Sequence, residues 1–466
     1  MPTKPRIVTL TNSSVDVLNA IRNSASQNYQ DYVPIATPNA ESVRAIGAVI
    51  MDYPALQNEF LNALINRIGR VIINSRMYRN PWAIFKKGEL ALGESIEEIF
   101  VDLAKPFQFD PAVAESEVFK REIPDVRSAF HVMNYRTFYK VTVSQEQLRQ
   151  AFLNWDGITS LIAKITESLY TSAAYDEFQV MKYMLALHIY RGQLSPTIIP
   201  VITGTSDNID SVVSIIKGVS NNFEFMKRRY NLAGVANSSS KDRQYLIVSS
   251  DFDSLMSVKT LAAAFNMNEA NFAGHKILTD GFGELDVERL DMLFENDSEY
   301  HSFTASELTA LNAIPAVLVD ADYFMIVDNL TNFTETFNGQ GMYWNYFLHQ
   351  WKTFSVSPFV NATMLIPSTP TVSTVTITPS TATVTKGSTV HLTHTVSTNN
   401  FAPQTVTWKL ASDTSGTPLD DNGITVDSKG DVTIGATAET ATFYVFATST
   451  FDTTKSAYAT ITVSDI

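Results

Sequence analysis

Between Ile314 and Ile366 the sequence runs as a ladder of short apolar segments, and immediately afterwards its composition changes. The ladder reads as strands at Ala316 to Val319, Tyr323 to Val327 and Phe333 to Phe337, then a long run from Met342 to Val356. Asp320, Asp322, Asp328 and Asn329 punctuate the first two segments, and Gly339 with Gly341 predict a turn before the last. The last run, Met342-Tyr-Trp-Asn-Tyr-Phe-Leu-His-Gln-Trp, carries aromatic residues at both alternations. A strand apolar on both faces belongs in an interior. Trp344 and Trp351 are therefore expected to be buried within one subunit, with Pro367 to Val372 as an exposed hinge. Beyond Pro367 and Pro370 threonine and valine dominate, so a second structure begins there.

At 466 residues the chain has room for two to four domains with their own cores. A formal net charge of -14 argues against a sequence-independent grip on nucleic acid, which needs clustered Lys and Arg. It does not exclude enclosing nucleic acid. The absence of cysteine removes disulfides, thiolate metal sites and cysteine nucleophiles together. The start, Met1-Pro-Thr-Lys-Pro-Arg, lacks the apolar core of a signal peptide, and no segment approaches the ~20 apolar residues of a membrane span. The expectation is a protein made and used in a cytoplasm, or released from one by lysis.

Asn12-Ser-Ser followed by Val15, Leu18 and Ile21 predicts a capped helix, then a polar arm to Asn39. Pro54 opens a helix carrying Leu56, Phe60, Leu61, Leu64, Ile65 and Ile68 at helical spacing, and Val71 to Tyr78 reads as a strand. From Arg79 to Asp110 the pattern is a long two-stranded excursion. Arg79, Lys86 and Lys87 lie on its outgoing limb, and Glu89, Glu94, Glu97, Glu98 and Asp102 on its return. An isolated hairpin this polar is marginal in water, so either the body of the protein or a neighbouring subunit must cover it. Ile158 to His188 keeps helical spacing throughout and predicts one long helix that serves as a spine. Val212 to Lys217, Phe223 to Tyr230 and Val258 to Phe265 read as helices, Tyr245 to Val248 and Lys276 to Leu278 as strands. Gly283 to Leu311 is an acidic, polar, helical insertion. This mixture is α+β. From Val372 onward, short alternating segments with polar turns predict an all-β sandwich.

No catalytic constellation emerges. Asp251-x-Asp253 follows a strand, but no phosphate loop accompanies it, and a helix N-cap explains it. Glu97 and Glu98, like His391 and His394, would point to opposite faces of a strand. Gly281-Phe-Gly283 lacks the third glycine of a dinucleotide site. No catalytic residue, cofactor or metal site is expected, and the chain reads as a structural protein.

Several stretches are more particular. Ala316-Val-Leu-Val-Asp-Ala-Asp-Tyr-Phe-Met-Ile-Val-Asp-Asn-Leu with Met342-Tyr-Trp-Asn-Tyr-Phe resembles the major capsid protein family of phi-29-like tailed bacteriophages. Lys86-Lys87-Gly88, Leu92-Gly93-Glu94-Ser95-Ile96-Glu97-Glu98-Ile99, Val118-Phe-Lys-Arg-Glu-Ile-Pro, Leu261-Ala-Ala-Ala-Phe-Asn-Met-Asn and Asp280-Gly-Phe follow in the same order. The resemblance implies a Hong Kong 97-type phage capsid fold. Residues 1–69 would be the N-terminal arm and helices, 70–110 the extended loop and 111–205 the peripheral domain with its spine helix. Residues 206–312 would be the axial domain and 313–366 the strands returning to the peripheral domain. After a linker at 367–372, residues 373–466 resemble a bacterial immunoglobulin-like group 2 module. Val375-Thr-Ile-Thr-Pro, Val384-Thr-Lys-Gly-Ser, Val406-Thr-Trp408 and Ile424-Thr-Val-Asp-Ser-Lys-Gly carry that likeness.

By the same resemblance, copies would form pentamers and hexamers enclosing double-stranded DNA, with a separate scaffolding protein and a portal as partners. The shell would assemble in the host cytoplasm and end in the virion. The extended loop would supply the subunit interface through Arg79, Phe85, Lys86, Lys87, Glu94, Glu97, Glu98 and Ile99. The tail would bridge capsomers or contact the host surface. Some relatives of this fold crosslink a loop lysine to a neighbour's asparagine, but this branch is not a crosslinking one. A surface adhesin with an immunoglobulin-like module is the alternative, disfavoured by the missing signal peptide. A cellular nanocompartment shell is disfavoured by the tail.

Overall fold

A computed structural model describes residues 13–68, 78–90, 95–107, 121, 123–153, 157–202, 206–256, 275–421 and 423–464. The chain divides into two compact units: Met1–Ser95, Val132–Phe178 and Ile326–Phe354 form one, and Ile96–His131, Gln179–Met325 and Ser355–Ile466 the other. The expected strand Val71 to Tyr78, apart from Tyr78, and the whole of the expected helix Val258 to Phe265 lie outside the described residues.

In the first unit, helices α1 (Ser13–Ser24), α2 (Gln27–Tyr32), α3 (Ala40–Asp52) and α4 (Pro54–Ile68) come first. α1 and α4 stand where their periodicity placed them. The polar arm ends at Asn39 as expected, but it contains α2 and is followed by α3, neither of which was expected. Asn39 caps α3 by accepting the N–H groups of Glu41 and Ser42, and Val43, Ile46, Gly47 and Ile50 form its buried stripe. α2 is only one turn and a half, capped by Ser26, with Tyr29 as its buried residue, too short to display a period. A fifth helix, α5 (Gln145–Leu153), brings Phe152 to Phe60, ring centroids 5.4 Å apart. A Cβ on Gly47 would stand 2.7 Å from Phe152, so glycine is what allows α3 this close.

These helices share a core with a sheet of order β1-β9-β10-β4, where β1 is Lys86–Glu89, β4 Tyr135–Ser144, β9 Phe324–Asn338 and β10 Tyr343–Val356. β9 fuses two strands that the sequence kept apart. Asp328 and Asn329 do not turn the chain, because each finds a partner inside: Asp328 pairs with Lys86 and Lys352, and Asn329 accepts from the Thr353 hydroxyl. On β10 only one alternation is core. Trp344, Tyr346 and Leu348 are buried there, whereas Trp351 is half-buried on the opposite face under the Arg136 guanidinium, 5.2 Å from its ring. The expectation of two equally buried tryptophans is corrected accordingly.

The long helical period is one helix, α6 (Gly157–Tyr190), and the division between units falls within it. In the second unit a sheet runs β5-β11-β8-β6-β7. Its strands are β5 (Ser195–Ile198), β6 (Gln244–Ser249), β7 (Lys276–Thr279), β8 (Ala316–Asp320) and β11 (Ala362–Ile366). Every residue of β8 and β11 is buried. α7 (Ser206–Phe223) packs Val212, Ile216, Val219 and Phe223 against Leu246, Val248, Leu318 and Leu365. The helix expected over Phe223 to Tyr230 is absent: α7 ends at Phe223, and Lys227 instead bridges to Asn237. α8 (Ser250–Leu255) is capped by Ser249 and not, as expected, by the Asp-x-Asp motif; Asp251 and Asp253 stand in its first turn, and Asp253 pairs with Lys276 at 2.8 Å. The insertion forms α9 (Val287–Leu293) and α10 (Ala305–Asn312).

The rest is all β. β12 (Thr371–Thr378) pairs with β15 (Thr393–Asn399). β13 (Thr381–Thr385), β20 (Ser456–Ser464), β19 (Thr442–Ser449) and β16 (Val406–Ala411) form a four-stranded sheet in that order. β14 (Thr389–His391), β18 (Asp431–Ile434) and β17 (Ile424–Val426) form a third. All three sheets share one core around Leu392, Val432, Phe443, Val445 and Ile461. His391 bonds Asp431 while His394 lies against Trp408, so the two histidines do not converge. Pro370 and Val372 are buried, because β12 begins at Thr371, so the expected hinge is not exposed along its length. Replacing Phe60, fully buried at the centre of the helical layer, with Ala should destabilise the unassembled subunit by about 3–5 kcal/mol in urea denaturation. An unchanged midpoint would show that α4 and α5 do not depend on this contact.

Candidate interaction surface

β2 (Ile96–Val101) and β3 (Val126–His131) pair antiparallel, with Glu97 opposite Phe130, Ile99 opposite Ser128 and Val101 opposite Val126. The expected pairing of a basic limb with an acidic one does not occur. β1 pairs in parallel with β9, and β2 finds a later segment. The physical reason is patterning. β2 and β3 offer alternating apolar positions, while Lys86-Lys87-Gly88-Glu89 offers none and is held by ion pairs instead.

The two faces of this ribbon differ in kind. On the inner face Phe100 stacks on Phe359, with centroids 5.6 Å apart. Glu98 accepts from the Ser357 hydroxyl at 2.7 Å and lies 3.3 Å from His131 Nε2, while His131 Nδ1 is 2.7 Å from Ser355 Oγ. Just past β2, Asp102 receives two hydrogen bonds from Arg228, at 2.6 and 3.0 Å, which hold its carboxyl below the usual range. Arg127 donates to the Ala233 carbonyl. On the outer face Ile99, Val101, Val126 and Phe130 are each more than half exposed, with Glu97 beside them. The adjacent glutamates thus face opposite ways, as a strand requires.

The remaining residues expected at a subunit interface scatter. Arg79 and Lys87 are exposed, and Glu94 lies outside the described residues. Phe85 and Lys86 are corrections. Phe85 is 2% exposed, packed edge-on to Trp82, so its apolar surface is already covered within its own chain. Lys86 reaches Asp328 at 2.5 Å and Glu177 at 3.1 Å. Lys352 bonds the same Glu177 and lies 3.0 Å from Asp328, and Asn80 donates to Glu177 at 2.7 Å. Burial pulls the Lys86 amine down, but its hydrogen bond to Asp328 and the two carboxylate charges outweigh that and raise it. An amine held as ammonium has no lone pair for amide formation, so Lys86 is a poor crosslinking nucleophile. For Glu177 and Asp328 burial acts upward, yet the lysine charges win and both carboxyls are lowered. Sequence spacing could not reveal this cluster, whose members come from four separate segments. Among the described residues no group of three or more His, Asp or Glu could hold a metal ion, and no helix is long and apolar enough to cross a membrane.

A structural chain with a locked ribbon and an exposed apolar face is what repeated self-association requires, and comparison with known proteins decides the matter. The model of the Phi29-like phage major capsid protein family matches residues 18–366. The chain belongs to that family. It is 33% identical to the major capsid protein of Bacillus phage B103 over 436 residues, covering 92% of this chain and 91% of that one. It is 32% identical to the major capsid protein of Bacillus phage PZA, with the same coverage. In structure it resembles the capsid of Staphylococcus phage Andhra, with a TM-score of 0.50 at 13% identity over 64% of this chain and 87% of that one, a likeness of fold. The fold is thus the mixed helix-and-sheet fold of phage capsids. The protein builds the capsid shell of a tailed bacteriophage virion, and its family is one of structural proteins.

In this capsid subunit the Lys86–Glu177–Lys352–Asp328 cluster makes a stability prediction. Lys352→Met leaves Glu177 buried beside one cation fewer and should cost about 3–5 kcal/mol, most of it recovered by adding Glu177→Gln. Because both carboxyls are lowered in the folded state, their stabilisation is present above the unfolded values and lost as pH falls through the folded ones. The wild-type urea midpoint should therefore drop below about pH 4, and the double variant's more shallowly. A double variant as damaged as Lys352→Met would refute the assignment.

Proposed function

We propose that copies join into pentamers and hexamers through the outer face of the β2–β3 ribbon, and that the shell they form encloses double-stranded DNA. The observation that carries this is the contrast between the ribbon's two faces. Its inner polar groups are all engaged with their own chain, so the apolar outer face is presented rather than free to collapse. Burying one Ile or Phe side chain contributes about 1.5–3 kcal/mol, whereas an exposed ion pair contributes ~0–1 kcal/mol. Apolar contact through Ile99, Val101, Val126 and Phe130 would therefore hold neighbours together, and Glu97, Arg79 and Lys87 would set register. Glu94 would join them on the acidic side.

Within a Hong Kong 97-type arrangement, 70–110 would be the extended loop, 111–205 the peripheral domain, 206–312 the axial domain and 313–366 the returning strands. A separate scaffolding protein and a portal would complete assembly. The net charge of -14 suits a wall that does not trap packaged DNA. Nine strands among the described residues from Thr371 onward, closed on one core, support an immunoglobulin-like module, which would bridge capsomers. A second reading, contact with host-surface sugars, has its own observation. Tyr444, Phe446 and Tyr458 gather on one face of the four-stranded sheet, Tyr458 5.5 Å from Tyr444 and 5.4 Å from Phe446, and 44% exposed.

Ile99→Asp with Phe130→Asp should leave a soluble subunit with unchanged circular dichroism that yields no shells by electron microscopy. Phe85→Asp should instead unfold it, since Phe85 is core. Normal shells from the ribbon variant would reject the ribbon as interface. Ending the chain before Pro367 separates the tail readings. Shells that rupture more readily on heating would support bridging, and intact shells that adsorb poorly to cells would support host contact.

A further inference from the structure

Two features of the second unit lie apart from the ribbon's outer face. One is a groove of about 810 Å³ at the seam between the C-terminal sheets and the body. It is lined by the whole of β5, by Arg228, Arg229 and the stretch Asn231 to Gly234, and by Pro403, Val406 and Phe451. The seam is close-packed at its root: a Cβ on Gly192 (φ +62°) would stand 2.4 Å from the Ala402 carbonyl oxygen, and Gln404 donates to the Tyr190 carbonyl at 3.3 Å. In a chain of net charge -14 the groove lining carries Arg228 and Arg229 and no carboxylate. Lys227, exposed, precedes them. Asp102 engages Arg228, and Arg229 lies over the Tyr230 ring at 4.4 Å, which leaves an excess of positive charge. Ile198, Leu232 and Phe451 add exposed apolar area.

The other feature is the loop between α9 and α10. Glu295, Asp297 and Glu299 are all exposed and form no ion pair among the described residues. The loop is nonetheless mounted firmly, because Phe294, Tyr300 and Phe303 pack on Tyr183 with centroids 5.1 to 5.8 Å away, and Arg191 donates to the Glu299 carbonyl. Met292, 67% exposed, stands beside it. Three carboxylates within five residues repel one another unless a cation faces them. No ion pair joins this loop to Lys227, Arg228 or Arg229 within one copy.

We infer that the acidic loop Glu295–Glu299 of one copy docks on the basic groove at Lys227–Arg229 of a second copy. Two different, complementary patches on one chain make a heterologous contact, which generates rings when its rotation closes, and a shell-building subunit needs such contacts. The charges select partner and register, and Met292 against Leu232 or Phe451 adds apolar burial. The inference rests on self-assembly into a shell but not on the ribbon. It gives the insertion a role in assembly and makes the tail one wall of an intersubunit site.

Charge exchange in the full-length chain, produced with its head-assembly partners, tests this. Lys227→Glu with Arg229→Glu should lower the yield of shells about tenfold, as should Glu295→Lys with Glu299→Lys. All four changes together should restore yield to within about twofold of wild type. Circular dichroism of unassembled subunits checks that each variant folds. A four-fold variant no better than its parents overturns the contact, as do normal shells from either pair alone. Normal shells that retain less DNA in the Lys227/Arg229 variant would reassign the groove to packaged DNA and likewise overturn it. Loss of shells in the ribbon variant, unaffected by the charge exchange, keeps the two interfaces separate: either can fail while the other stands.

Discussion

Every residue of α6 from Asp176 to Ala186 is buried, and three of them carry charged side chains. A helix closed off from solvent on all sides tolerates Asp176, Glu177 and Lys182 only if each meets a partner, since an unpaired buried charge costs several kcal/mol. Each does. Asp176 accepts from the Tyr139 hydroxyl at 2.8 Å, Glu177 gathers Lys86, Lys352 and Asn80, and Lys182 meets Asp280 and the Glu284 carbonyl. In the first unit this requirement fixes where β1 runs. Its sequence has no apolar face, and Lys86 is what anchors it beside β9. In the second unit the same requirement holds the start of the insertion, through Asp280 and Glu284.

The ribbon follows the same logic with the opposite outcome. On its inner face Glu98 and His131 are engaged by Ser357 and Ser355, while Ile99, Val101, Val126 and Phe130 are left outside. For a monomer this would be a liability, since exposed apolar patches promote association. For a subunit whose function is association it is the arrangement that works. Hydrogen bonds fix the geometry, and under the proposed interface neighbours would supply the burial that one chain does not.

How far the sequence revealed this depends on the range of the signal. α1, α4 and α6 were readable because their apolar stripes repeat over three or more turns. α3 had the same stripe behind its Asn39 cap. α2, at six residues, had no room for one. The break assumed at Asp328 and Asn329 failed because turn propensity is local, while the partners that allow a continuous β9 come from Lys86, Lys352 and Thr353, far away in sequence. The residues expected at a subunit interface split for the same reason. Alternation within β2 correctly put Glu97 and Glu98 on opposite faces. Nothing local announces that Phe85 is covered by Trp82 or that Lys86 is claimed by Glu177.

Acidity, too, divides by what surrounds it. In the C-terminal sheets, Asp413, Asp421, Asp427 and Asp452 each accept backbone N–H groups of the turn they begin. Asp421 takes those of Gly423, Glu439 and Thr440, which bring its carboxyl down to about 2. A carboxyl lowered in the folded state stabilises at every pH above its unfolded value and ceases to do so only as pH falls through the folded one. These aspartates are turn fasteners, and their charge is already committed. Glu295, Asp297 and Glu299 stand apart, because beyond one backbone N–H that Asp297 accepts, their carboxylates meet no cation among the described residues. Within a subunit of net charge -14, a cation from a neighbouring copy would relieve the repulsion among these three carboxylates.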